Sequence, residues 1–200
     1  MFKTITQVMG GLRGRYAEPH RAYHGQAHVD AMLDGLHANL YAFAVPEAAE
    51  LAVWFHDAIY DPSAPDNEAR STALMLDQLT GLTDPAVLQR AATMICATAT
   101  HTVPPGLAPD LVRDTALFLD LDLAVLGADP TTYDAYERGI AAEYGPVHGE
   151  ARFRAGRLAF LQAMLARSRL FLTPDAHERL DGPARTNIAR AIRELTGAIP

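Results

Sequence analysis

Prolines and turn residues cut this chain into pieces of helical length. Breakers fall at Pro62 and Pro65, Gly81 with Asp84-Pro85, Pro104-Pro105, Asp129-Pro130, Gly145-Pro146 and Thr173-Pro174. A proline removes a backbone donor and pushes its predecessor out of the helical region, so none of these points suits a helix interior. Helices are expected at about 3–14, 25–43, 46–59, 67–80, 85–100, 108–126, 131–145, 148–171 and 175–196. Thr83 or Asp84 before Pro85, and Thr173 before Pro174, have the cap-then-proline order of helix starts. No strand alternates with these segments and no repeat or low-complexity stretch appears. The expected fold is all-α, a helical bundle of a single domain spanning 1–200.

Several of these segments carry polar pairs where a core helix should be apolar. In Leu51-Ala52-Val53-Trp54-Phe55-His56-Asp57-Ala58-Ile59-Tyr60 no solvent-facing stripe accommodates both His56 and Asp57. Pro46 suits the first turn of this helix and Glu47 its positive end, which puts the pair near the C-terminus. His24 and His28, four residues apart, share a helical face that Val29, Met32 and Leu36 continue. Asp120 and Asp122 lie within Phe118-Leu119-Asp120-Leu121-Asp122-Leu123, where length and Leu/Ala content favour a helix over a strand. Desolvating such groups unpaired costs several kcal/mol, and a divalent metal is a simple common partner. Helical spacing leaves open whether Asp120 or Asp122 serves.

Taken in order, these residues resemble the HD superfamily of metal-dependent phosphohydrolases, and within it a small, single-domain bacterial branch of predicted phosphohydrolases. The resemblance rests on Tyr23-His24-x-x-x-His28, Trp54-Phe55-His56-Asp57-x-x-Tyr60-Asp61, Asn67-Glu68-x-x-Ser71, Thr98-x-x-His101 and Leu119-Asp120-x-Asp122-Leu123-x-x-Leu126-Gly127. It continues through Tyr133-x-x-Tyr136, Glu143-Tyr144, Gly156-Arg157 and Ala184-Arg185-x-Asn187. It implies a helical bundle of the HD type with His28, His56 and Asp57 as metal ligands and Asp122 as the fourth, Asp120 being the alternative. His24 and His101 match accessory histidines that meet substrate phosphate or a second metal in some relatives. Asn67 or Glu68 is expected at the mouth of the site, with Glu68 or His101 handling a proton and Arg157 as a further candidate for substrate binding. Gly25 stands where relatives often carry Asn, and Ala141 or Ala142 where they often carry Arg, which leaves the ligand set intact and the substrate less defined.

The implied reaction is hydrolysis of a phosphate ester, in a nucleotide or another small phosphomonoester or diester, by metal-activated water. Mixed nitrogen and oxygen ligands suit one ion of Mn, Fe, Co, Ni, Zn or Mg, with a second one conceivable. An iron oxygenase of the same superfamily, or a metal-stabilised nucleotide-binding sensor without turnover, are the alternatives. No G-x-S-x-G element supports a serine nucleophile.

Charge and composition bound the partners. Seventeen basic against 24 acidic residues give a net charge of −7 without a long basic tract, which argues against a nucleic-acid polymer as partner. The arginines at 152, 154, 157, 167 and 169 read as a solvated helix face, Arg157 excepted. A hydrophobic content of 49% can fill a substantial core. With neither a signal-like leader nor an apolar run of about 18 residues, the expectation is a soluble cytoplasmic protein without membrane contact, of open oligomeric state. Cys96, the single cysteine, excludes an internal disulfide and is expected to be a buried structural thiol.

Overall fold

The computed structural model describes residues 5–197; residues 3 and 4 of the first expected helix lie outside them. Nine α-helices are present among the described residues and no strand. They are α1 (Ile5–Tyr16), α2 (Gln26–Ala38), α3 (Pro46–Phe55), α4 (Asn67–Leu79), α5 (Pro85–Thr98), α6 (Pro109–Asp122), α7 (Pro130–His148), α8 (Glu150–Ala166) and α9 (Pro174–Thr196). Short 3-10 helices occupy Leu40–Ala42 and Leu123–Gly127. No helix among the described residues is long and apolar enough to cross a membrane. The chain divides into two compact units, 1–122 and 123–200.

In the first unit α3 is the central element. Every residue from Leu51 to His56 is buried, and α1, α2, α4, α5 and α6 all pack against this helix. A segment apolar on every side, as residues 51–55 are, needs such surroundings. Its start follows from Pro46 at the first turn and from Asp114 on α6, a carboxylate with no solvent exposure. Asp114 accepts the Ala44 amide at 2.8 Å, the Val45 amide at 3.1 Å and the Arg90 guanidinium of α5 at 2.7 Å. One acidic side chain thereby ties α6 and α5 to the entry of α3. The far end of α3 carries His56 and Asp57.

In the second unit α8 packs on α7 and α9, and Leu123–Gly127 packs on α7 and α9. Asn187 donates to the carbonyls of Leu126 and Ala128 at 3.0 and 2.9 Å. Gly127 is required by close approach, since a Cβ there would come within 2.9 Å of the Leu180 backbone oxygen.

Several helices end away from the expected bounds: α2 stops at Ala38 and α3 at Phe55, short of 43 and 59, and α7 and α8 also differ. α7 runs through Pro146 to His148 and breaks at Gly149 (φ 77°), not at Gly145-Pro146. Pro146 falls in the last turn, so the i−4 bond it cannot make lies at the helix end, and the helix stops two residues later. α8 stops at Ala166 because Asp181 captures the Leu170 and Phe171 amides at 2.7 and 3.3 Å. Cys96 is exposed, which corrects the expectation of a buried thiol. It shares the outer stripe of α5 with Gln89 and Thr93, and its Sγ lies 3.4 Å from Thr72 Oγ1.

Candidate metal centre

Helix ends build the site in the first unit. His28 lies in the first turn of α2, His56 is the C-cap of α3, His101 follows α5, and Asp122 is the last α-helical residue of α6. Side chains at helix ends can converge without breaking a mid-helix ladder, since the terminal backbone groups need other partners in any case.

The His28 and His56 Nε2 atoms lie 3.1 Å apart, and Asp122 Oδ1 is 3.2 Å from the first and 3.9 Å from the second. Among the described residues these three form a set whose ligand atoms all fall within 4.8 Å of one another. Both imidazoles are buried and the Asp122 carboxylate is nearly so. Asp57 adjoins the trio at His56, its Oδ2 3.1 Å from Nε2. His56 Nδ1 lies 2.9 Å from the Val53 carbonyl and donates to it, which turns Nε2 toward the cluster. His56 Nε2 therefore faces one imidazole nitrogen and two carboxylates.

The charges follow this arrangement. Burial opposes the His56 imidazolium, yet Asp57 and then Asp122 outweigh it and push its pKa up to about 9. Burial alone would raise Asp57; His56 foremost, then His24, hold it far below the usual carboxylate range instead. Asp122 behaves likewise, burial being overcome by hydrogen bonds from His101 and His28. Two ionised carboxylates thus share this buried pocket with the His56 imidazolium.

The remaining expected residues divide between the site and the scaffold. His101 Nε2 reaches Asp122 Oδ2 at 3.1 Å, from a backbone in the left-handed region (φ 49°). His24 stacks on Tyr60 at 4.5 Å between ring centroids and meets His28 edge-on at 6.1 Å. Of the two acidic candidates on α6 the structure brings in Asp122. Asp120 is buried but outside the three-residue set, two positions earlier and so turned by about 200° on the helix. Asn67 Oδ1 accepts the Asp61 amide at 3.0 Å, and Nδ2 donates to the carbonyls of Asp61 and Ala64 at 2.9 and 3.4 Å. Its amide holds the loop before α4. Asp66 stands at the N-cap of α4 without a capping bond, and Glu68 is half-buried in the first turn. Arg157 belongs to the second unit, where Glu137 binds it with both carboxylate oxygens at 2.7 and 3.0 Å and the Tyr136 and Phe160 rings flank it. That ion pair and the two rings account for its burial.

Sequence reasoning missed the residues that hold the site in place, Arg21 and Tyr16 above all. Tyr16 donates its hydroxyl to the Trp54 carbonyl at 3.0 Å. Ser71, legible only as part of a motif, accepts the Ile59 amide at 3.0 Å. Nothing in the spacing of a lone arginine between Pro19-His20 and Tyr23-His24 marks it as buried. Comparison with protein-family models, with curated proteins and with solved structures finds no match to this chain.

Proposed function

We propose that the first unit is a metal-dependent phosphohydrolase of the HD type, holding a divalent ion with His28, His56, Asp122 and Asp57. One observation carries the metal: His56 Nε2 has His28 Nε2 at 3.1 Å, Asp57 Oδ2 at 3.1 Å and Asp122 Oδ1 at 3.9 Å. A proton on Nε2 can serve one of these neighbours at a time, whereas a cation serves all of them. The donor set of imidazoles and carboxylates suits Mn, Fe, Co, Ni or Zn.

A divalent ion supplies Lewis acidity there, lowering the pKa of water and offsetting phosphoryl charge. The protein's own groups do the rest. The Val53 carbonyl fixes the tautomer and tilt of His56. His101 holds Asp122 through Nε2 and can keep or release a proton at that atom. His24, set against Tyr60, offers an imidazole N–H to an anionic ester. In a chain of net charge −7, a cation at this site would supply the local attraction for an anionic substrate. The choice of a small phosphate ester rests on the resemblance of the sequence motifs.

The test is a screen of nucleotides and phosphomonoesters with the protein loaded in turn with Mn, Co, Ni, Zn, Fe and Mg. Metal-dependent phosphate release, abolished by His56→Ala and Asp57→Ala at unchanged helical circular dichroism, is the expected result. A loaded protein that hydrolyses none of them refutes the phosphohydrolase assignment. Oxygen uptake by an iron form, or nucleotide binding without turnover, would replace it with an oxygenase or a sensor.

A further inference from the structure

We infer that Arg21 is a positioning residue for this metal centre, a clamp that joins the two chain segments carrying its ligands. The inference rests on the metal-centre assignment above and adds a residue that lies outside the ligand set. The Arg21 side chain has no solvent exposure. Its Nη1 donates to the His24 carbonyl at 3.0 Å and to the Asp57 carbonyl at 2.7 Å, and Nη2 reaches the Ala58 carbonyl at 3.4 Å. Nε donates to Glu18 at 3.0 Å. The Tyr16 and Tyr60 rings each lie 5.2 Å from the guanidinium carbon.

The carbonyls it binds belong to two distant segments. His24 immediately precedes the start of α2, which carries His28; Asp57 and Ala58 follow the end of α3, which carries His56. The guanidinium therefore sets the separation of the two segments that bring His28 Nε2 to 3.1 Å from His56 Nε2. A planar fork with five donors can span three carbonyls and a carboxylate in one geometry; an ammonium cannot. Tyr16 adds to the same joint, bonding the Trp54 carbonyl while its ring supports the guanidinium. Removing the fork leaves buried carbonyls at the positions that orient His24 and Asp57.

The test compares Arg21→Met and Arg21→Lys with Arg13→Met, a control that removes a cation of α1, 5.3 Å from the Trp54 ring, without touching the clamp. Two readouts go beyond stability: the imidazole signals of the metal-free protein in long-range proton–nitrogen NMR, and cobalt(II) affinity with its visible spectrum. The clamp predicts displaced His56 and His28 signals, roughly ten- to hundredfold weaker cobalt binding and an altered spectrum in both Arg21 variants, with the control unchanged. Arg21→Lys keeps the charge and serves if Arg21→Met does not fold. Imidazole signals, cobalt affinity and spectrum all like wild type in a folded Arg21 variant, with only the melting temperature lowered, would overturn the clamp. Absence of cobalt binding by the wild-type protein would overturn the metal assignment instead, and the imidazole signals would still decide whether Arg21 positions the ligand-bearing segments.

Discussion

His101 holds Asp122 from a backbone conformation that L-residues seldom adopt, φ 49°, and a pair of substitutions can separate the strain from the contact. His101→Ala removes the imidazole and keeps a Cβ on the left-handed backbone; His101→Gly removes the imidazole and the Cβ strain together. A left-handed residue with a Cβ costs about 1–2 kcal/mol, which glycine escapes. Glycine in turn frees the unfolded chain, offsetting about 0.4–1 kcal/mol of that gain. The glycine variant should therefore be more stable than the alanine variant by on the order of 1 kcal/mol. For a chain of this length that corresponds to roughly 2–4 °C in melting temperature. Thermal unfolding followed by far-ultraviolet circular dichroism, at matched metal content, measures the difference. If the proposed hydrolysis is found, both variants should lose it to the same degree, since neither keeps the Nε2 contact. The reasoning fails if alanine is as stable as glycine, the order found at ordinary helical or extended positions.

Two further predictions test the scaffold. Asp114→Ala strands two backbone amides and loosens Arg90, which retains Asp110 at 2.8 Å; the expected loss is about 3 kcal/mol, or roughly 6–12 °C, whereas Asp110→Ala should shift the melting temperature far less. Equal shifts in the two variants would refute the role of Asp114 at the entry of α3. For Asp181, burial raises the pKa, but the Arg185 hydrogen bond and then the Leu170 amide bring it down to about 2 from an ordinary 3.8. A carboxyl depressed by folding stabilises fully above the unfolded value, so this contribution should fade as pH falls from about 4 toward 2. Denaturant titrations across that window should show a shallower loss in Asp181→Asn; an identical slope would contradict the assignment.

The helical fold was legible because punctuation and propensity agree along most of the chain. Pro46, Pro85, Pro130 and Pro174 each fall in a helix's first turn; α3 and α5 start where expected, α7 and α9 one residue before the expected 131 and 175. Where the reading slipped, a distant partner had overruled a local rule. Nothing near Leu170 announces that Asp181, eleven residues on, takes its amide. Pro146 reads as a breaker because the pattern does not say that the helix carries on for two residues past it before Gly149 ends it.

The site was legible for a different reason: His28, His56 and Asp122 are polar groups in apolar helices, and that conflict shows in one dimension. The choice between Asp120 and Asp122 was not legible, because two residues apart on a helix reverses the face and nothing local says which face α2 and α3 approach. Arg21 was invisible because its value lies entirely in backbone carbonyls contributed by other segments. Carbonyls carry no residue signature. Cys96 should have been read correctly, since Gln89 and Thr93 mark its stripe of α5 as the outer one.

The most direct measurement is the metal content of untagged protein by elemental analysis, after equilibrium dialysis against each candidate divalent ion, for the wild type and for Asp122→Asn, Asp120→Asn and His28→Ala. The metal centre described above predicts about one divalent ion per chain in the wild type and in Asp120→Asn, with most of it lost in Asp122→Asn and His28→Ala at retained helical content. A wild-type protein that binds none of these ions, or that keeps its ion in Asp122→Asn and His28→Ala, would contradict it.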